Sequence, residues 1–203
     1  MTRCVQVWLS LWLLSCCGCA TTSQPAAEDI ADQGISPAAN TSTEVLLLLS
    51  TDEHGWLSPL HDRERGVNQG GLVPFARALK QYEGRAPNHV GLFSVGDNWT
   101  GPFESTALQG VPMLQAMNLL EYRASVVGNH EFDFGQDVLA RHARDASFPL
   151  LAANILEDKT GERPSWATPW VVVPLGPMRL GVIGLAHRRT PELTDPRNVT
   201  GLT

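Results

Sequence analysis

An α/β fold is predicted by two features of this sequence. Short β-prone apolar runs at 44–50, 89–95, 124–127 and 149–155 alternate with stretches whose apolar residues recur at three- and four-residue spacing. The first three runs also open at once into loops that hold glycine beside Asp, His or Asn. The loop after a strand is where α/β proteins tend to place their chemistry.

The elements follow in order. Residues 44–50 hold Val45 and four leucines, an unbroken apolar run that fits a strand buried on both faces. Residues 66–71 read as a glycine-containing loop. Apolar or aromatic residues at 72, 75, 76, 79 and 82 predict a helix, with Pro74 acceptable only in its first turn and Gly84 ending it. After the strand at 89–95, apolar positions 108, 111, 113, 114, 117 and 120 predict helix again, split by Gly110 and Pro112. A third strand at 124–127 leads through Gly128 to a helix at 136–146, and a fourth strand covers 149–155. Runs at 170–175 and 179–185 flank Gly176-Pro177-Met178 and predict a hairpin.

At 203 residues, 43% hydrophobic and 18% charged, the chain is long and apolar enough for one domain with a real core. Its net charge of −6 lacks a basic stripe, which excludes a sequence-independent grip on a nucleic-acid duplex. All four cysteines, Cys4, Cys16, Cys17 and Cys19, fall in the first nineteen residues, so a disulfide framework or thiolate metal site in the body of the chain is excluded.

The start of the chain reads as a targeting segment. Arg3 precedes an apolar stretch at 5–14 that is too short to span a bilayer and suits a signal-peptide core. Leu13-Leu14-Ser15-Cys16 looks like a bacterial lipobox, with Cys19 a second candidate for the lipidated cysteine and plain secretion the alternative. Residues 1–19 are thus expected to form a lipoprotein-type signal peptide and 20–43, rich in Ala, Thr, Ser, Pro and Gln, a flexible linker. Residues 44–203 hold the globular part. The expected location is the periplasm or the outer-membrane or cell surface, with membrane contact through the anchor.

Three motifs carry the chemistry. Asp52 and His54 are two apart, a spacing that projects both side chains to one side of an extended segment and turns Glu53 away to solvent. Asp97 follows Gly96, which leaves room for a close approach, and its two oxygens can bridge two ions. Asn129 offers a neutral amide oxygen. Asp, His and Asn donors without cysteine suit Zn, Mn, Fe or Co. Asp133 lies three residues after His130, close enough to hydrogen-bond the imidazole and hold it charged. Singly, each motif is more often a cap or a turn; it is their order after three strands that points to a site. His61, His89, His142 and His187 belong to no motif and read as ordinary histidines. Trp56 and Trp99 follow the motifs closely and suit either a cleft wall or core packing.

Asp52-x-His54, Gly96-Asp97 with Gly101, and Gly128-Asn129-His130-Glu131-Phe132-Asp133 with Gly135 together resemble the 5′-nucleotidase family of calcineurin-like metallophosphoesterases, from about residue 45 onward. The stretch from Gly181 through Gly184-Leu185 to Thr190-Pro191-Glu192 is similar to the family as well. The resemblance implies a four-layer α/β/β/α sandwich, here incomplete at its C-terminal side. It implies two divalent ions, one held by Asp52, His54 and Asp97, the other by Asp97 and Asn129. It further implies His130 as transition-state stabiliser or general acid, oriented by Asp133, and a small phosphorylated substrate such as a nucleotide, handled by a monomer. Other esters on the same fold, a cyclic nucleotide or a thiosulfate ester, are the alternative, as is a non-catalytic fragment. The family's later histidine ligands, in G-H and G-H-x-H motifs, have no counterpart up to Thr203. Exposed sheet edges and apolar surface are therefore expected, and the activity of these 203 residues alone is left open.

Overall fold

The computed structural model describes residues 44–203. The expected signal peptide, the linker and the lipid-anchor cysteines Cys16 and Cys19 lie outside the described residues.

The centre is a parallel sheet of four strands, β1 (Leu46–Ser50), β4 (Val90–Ser94), β5 (Ala124–Val126) and β6 (Leu150–Leu151), in the order β1-β4-β5-β6. Between β1 and β4 come the small hairpin β2 (Leu60–Asp62) and β3 (Val67–Gln69), then helix α1 (Leu72–Arg85). Helices α2 (Phe103–Ala107) and α3 (Val111–Leu119) connect β4 to β5, and α4 (Gln136–Asp145) connects β5 to β6. The antiparallel pair β7 (Trp170–Leu175) and β8 (Met178–Ile183) follows, then the single turn α5 (Thr190–Leu193) and a 3₁₀ turn over Pro196–Val199.

The two faces of the sheet carry different cores. Leu92 and Leu150 face the helices, where they join Leu79, Met113, Leu114, Met117 and Leu139. Phe93, Ala124 and Leu151 face the other way, against Val173 and Leu175 of the hairpin. Alternation along a strand accounts for the split. Helices, parallel sheet and hairpin make three of the four expected layers among the described residues.

The sequence-predicted elements are found with five corrections. Strand β1 is not buried on both faces: Leu47 is 41% and Leu49 56% exposed, because at the sheet edge the core under the hairpin, which takes in Phe93 of the next strand, includes neither leucine. The fourth strand is two residues long rather than seven. Its partner β5 stops at Val126, and beyond Leu151 the chain turns to other acceptors, Ala152 N–H donating to Thr168 O and Ala153 N–H to Gly184 O. Gly84 does not end α1, which runs to Arg85 with the Ala86 N–H closing on Tyr82 O. Residues 66–71 are not simply loop, since β3 pairs there with β2. The left-handed backbone of Asp52 and His54 is the fifth, treated below. The split at Gly110 and Pro112 is as expected, with Gly110 left-handed between α2 and α3.

Trp99 is wholly buried, so its role is in the core, and His142 stacks edge-on against it with ring centroids 4.8 Å apart. Burial, helped by the Arg141 charge, pulls the His142 pKa down to about 4 against the opposing charge of Asp145. The folded imidazole stays neutral while the unfolded one takes up a proton below about 6.5. The unfolded state therefore binds more protons between those values, and stability falls as pH drops through that window, by on the order of 3 kcal/mol. Urea unfolding of His142→Phe compared with the parent should show a smaller loss between pH 7 and pH 4.5. Parallel pH profiles would contradict this.

Candidate active site

Parallel pairing puts the C-terminal ends of β1, β4 and β5 side by side, Ser50 opposite Ser94 and Ser94 opposite Ser125. The loops that leave these ends stay bonded to each other. Val95 N–H donates to Ser50 O (2.9 Å), Asp52 N–H to Gly96 O (3.1 Å), His54 N–H to Asp97 O (3.0 Å) and Gly55 N–H to Asn98 O (2.8 Å). The first loop is therefore fastened along the second.

That fastening has a conformational cost. Asp52, His54 and Asp97 all have positive φ, at 54°, 45° and 60°. Non-glycine residues adopt this region uncommonly, and such strain clusters at functional sites. Asp52 and His54 are thus not in an extended segment, and the i, i+2 argument does not explain their meeting. They meet all the same, His54 Nε2 lying 3.8 Å from Asp52 Oδ1. Glu53 is not turned out to solvent either. It is half-buried near Ser50 and Tyr122, where desolvation raises its pKa against a lowering hydrogen bond from Ser50. The Ser50 hydroxyl in turn bonds the Tyr122 hydroxyl at 2.9 Å.

The Asp97 carboxylate reaches the third loop, where Oδ1 accepts the His130 N–H at 2.9 Å. Such contact needs bare backbone on the far side. A Cβ on Gly128 would collide with Asp97 Oδ1, and one on Gly96 (φ 104°) would press on the Gly128 backbone. The His130 ring stands edge-on to that of His54, with centroids 4.8 Å apart, and its Nδ1 bonds Asp133 Oδ2 at 2.7 Å. The Asn129 amide nitrogen donates to Leu193 O at 3.2 Å, which orients the amide.

Partial burial works to lower the His130 pKa. The hydrogen bond and charge of Asp133, with the charges of Asp97 and Glu131, outweigh that and raise it above the ordinary histidine value. The Asp133 hydrogen bond expected from the sequence is present.

Two residues escaped the sequence reading. Glu131 is almost fully buried, and its carboxylate accepts N–H groups from Gly128 (2.6 Å), Asp97 (2.9 Å) and Asn98 (2.8 Å) as well as the Asn98 side-chain amide (3.0 Å). Burial pushes its carboxyl up, against the pull of these donors. Thr194 donates its hydroxyl to Asp133 Oδ1 at 3.1 Å. Glu131 stands inside the third motif between His130 and Phe132, with no local mark of burial. Thr194 carries no local signal, being 61 residues from its partner.

The donor types suit a hard or borderline divalent cation. His54 Nδ1 bonds Thr100 O at 2.8 Å, an arrangement that assigns the proton to Nδ1 and leaves the Nε2 lone pair toward Asp52. Among the described residues, no three His, Cys, Asp or Glu side chains close on a common metal centre. The chain thus presents donors that fit a cation in an open arrangement on three apposed loops.

No protein-family model matches the chain. A 5′-nucleotidase of Vibrio vulnificus is 34% identical over 186 residues, covering 91% of this chain and 31% of the relative. The crystal structure of a 5′-nucleotidase precursor from Thermus thermophilus superposes with a TM-score of 0.69 at 27% identity, covering 78% of this chain and 31% of that one. The chain is related to the 5′-nucleotidases. It spans about a third of the length of the curated relatives it matches. The calcineurin-like phosphoesterase YfkN of Bacillus subtilis shares the fold, with a TM-score of 0.61 at 24% identity over 77% of this chain and 52% of that one. The expected metallophosphoesterase fold is therefore the fold found.

If Asp133 holds the His130 imidazolium, the ring titrates above the ordinary value of about 6.5, and Asp133→Asn should bring it down. Imidazole proton shifts followed by NMR across pH 5–9 read both midpoints. A midpoint unmoved by the substitution would dismiss the pairing as the cause.

Proposed function

We propose that this chain carries part of the active site of an exported, divalent-metal-dependent phosphoester hydrolase of the 5′-nucleotidase type, with nucleotides as the substrate class. One observation carries the reading: Asp52 with His54, Asp97, and the Asn129-His130-Asp133 group stand on three loops fastened together at one end of the sheet. The relatives are 5′-nucleotidases, which supports the substrate class, and the Thermus thermophilus protein is a precursor, which agrees with export.

In this reading Asp52, His54 and Asp97 hold one ion, and Asp97 with Asn129 holds a second, of the Zn, Mn, Fe or Co group. Bound divalent ions supply Lewis-acid stabilisation and activate water for in-line attack on phosphorus. The protein's own groups do the rest. Thr100 O fixes the tautomer of His54 so that Nε2 is the donor atom. The Asn129 amide, tied through its nitrogen to Leu193 O, presents its oxygen. His130 is not a ligand. Its Nδ1–H points to Asp133, which leaves Nε2–H to stabilise the charged phosphoryl group or to protonate the leaving oxygen. Thr194 holds the far oxygen of Asp133.

Residues 1–19 are read as the export signal, 20–43 as a linker, and Cys16 or Cys19 as the lipid-anchored residue, placing the enzyme in the periplasm or at the cell surface.

Phosphate release from AMP by the Mn²⁺-loaded chain tests the reading. Chelation should abolish turnover, Asp97→Ala should remove both metal binding and turnover, and His130→Ala should lower kcat by roughly 10²–10⁴-fold with KM little changed. Turnover that survives chelation, or wild-type rates in Asp97→Ala, would refute it.

A further inference from the structure

Among the described residues, Glu131 is the only fully buried carboxylate. A buried carboxylate is costly unless its oxygens are satisfied. Glu131 has no cationic partner among its hydrogen bonds; its oxygens meet only N–H donors, three from the backbone and one from a side-chain amide. The donors come from two different loops. Asp97 and Asn98 follow β4, whereas Gly128 follows β5, as does Glu131 itself. One oxygen, Oε2, takes the Asp97 and Gly128 N–H groups together, and Oε1 takes both nitrogens of Asn98. The strand pairing gives no such link, since the β4–β5 register covers only Phe93 with Ala124 and Ser94 with Ser125. Where that ladder ends, the carboxylate takes over.

We propose that Glu131 is a positioning residue for the candidate metal site, its carboxylate clamping the Asp97 loop to the Gly128–His130 loop so that the Asp97 and Asn129 donors face a common ion. This rests on the metal-binding reading given above. Asp97 is then held twice by the same loop, through its backbone N–H by Glu131 and through Oδ1 by the His130 N–H. Removing the carboxylate strands three backbone N–H groups away from water. The loops part or admit solvent, and the donors lose their fixed spacing. Loss of a group that orients metal ligands typically weakens metal binding about 10–100-fold.

Glu131→Gln keeps the volume but puts an NH₂ against N–H donors. It is compared in the full chain with Leu139→Ala, which opens a hole in the helix-side core while leaving every hydrogen bond of the clamp in place and serves as the control for lost stability. Two readouts are taken at a temperature where all three proteins are folded by circular dichroism. Without metal, hydrogen exchange at the Asp97, Asn98 and Gly128 amides should be faster by about tenfold or more in Glu131→Gln. Its Mn²⁺ dissociation constant, from the free-ion electron paramagnetic resonance signal, should rise about 10–100-fold. Leu139→Ala should lower the melting temperature and leave both readouts near wild type. Wild-type protection of the three amides in Glu131→Gln, or Mn²⁺ affinity lowered no more than in Leu139→Ala, overturns the proposal. If wild type binds Mn²⁺ and Glu131→Gln binds it as tightly, the site reading stands and the positioning role alone fails. If wild type binds no Mn²⁺, the site reading fails and takes the proposal with it.

Discussion

Parallel pairing of β1, β4 and β5 is the constraint on which the rest depends. Parallel strands end on the same side of a sheet, so each loop that leaves a strand is delivered beside the next. Here the delivery is close enough that hydrogen bonding continues past the strands, from Ser50 and Val95 through Asp52, His54 and Gly55 along residues 96–98. The backbone accommodates this by entering the left-handed region at Asp52, His54 and Asp97. The conformation is unfavourable for each of these residues alone. Held by the neighbouring loop, the three turn their chemistry toward the same end of the sheet.

The polar groups at that end are held in layers. His54 is fixed by a backbone carbonyl, His130 by Asp133, and Asp133 by Thr194. The last segment of the chain supplies much of the outer layer: Leu193 takes the Asn129 amide, Asn198 donates to the Asp133 carbonyl, and Thr200 O takes the Gln136 side chain. Residues distant in sequence thus decide how the third motif is aimed. The acidic surroundings explain the electrostatics, because Asp133, Asp97 and Glu131 together overcome desolvation and favour the charged form of His130.

Much of this was legible in the sequence. The periodicity at 72–82 and the glycine-proline signals at 110–112 and 176–177 mark α1, the α2–α3 break and the hairpin, because these features depend on local chemistry. The six candidate site residues stand out as motifs, and their order after strands carried the resemblance. What escaped the reading depends on partners. Leu47 and Leu49 look like core residues, yet lie at an edge that only the sheet order reveals. Residues 149–155 look like one strand, but pairing stops where β5 stops. The extended geometry assumed for Asp52 and His54 gave way to the pull of the second loop. Glu131 reads locally as one more charged residue, and only the fold shows it buried between two loops.

The central claim is that these three loops hold two divalent cations, the first of them on Asp52, His54 and Asp97. The most direct test is anomalous scattering from crystals of the chain soaked in Mn²⁺. The account predicts a peak within about 2.0–2.3 Å of an Asp52 oxygen, His54 Nε2 and an Asp97 oxygen. A peak elsewhere on the molecule, or an empty map at the loops under saturating Mn²⁺, would contradict it.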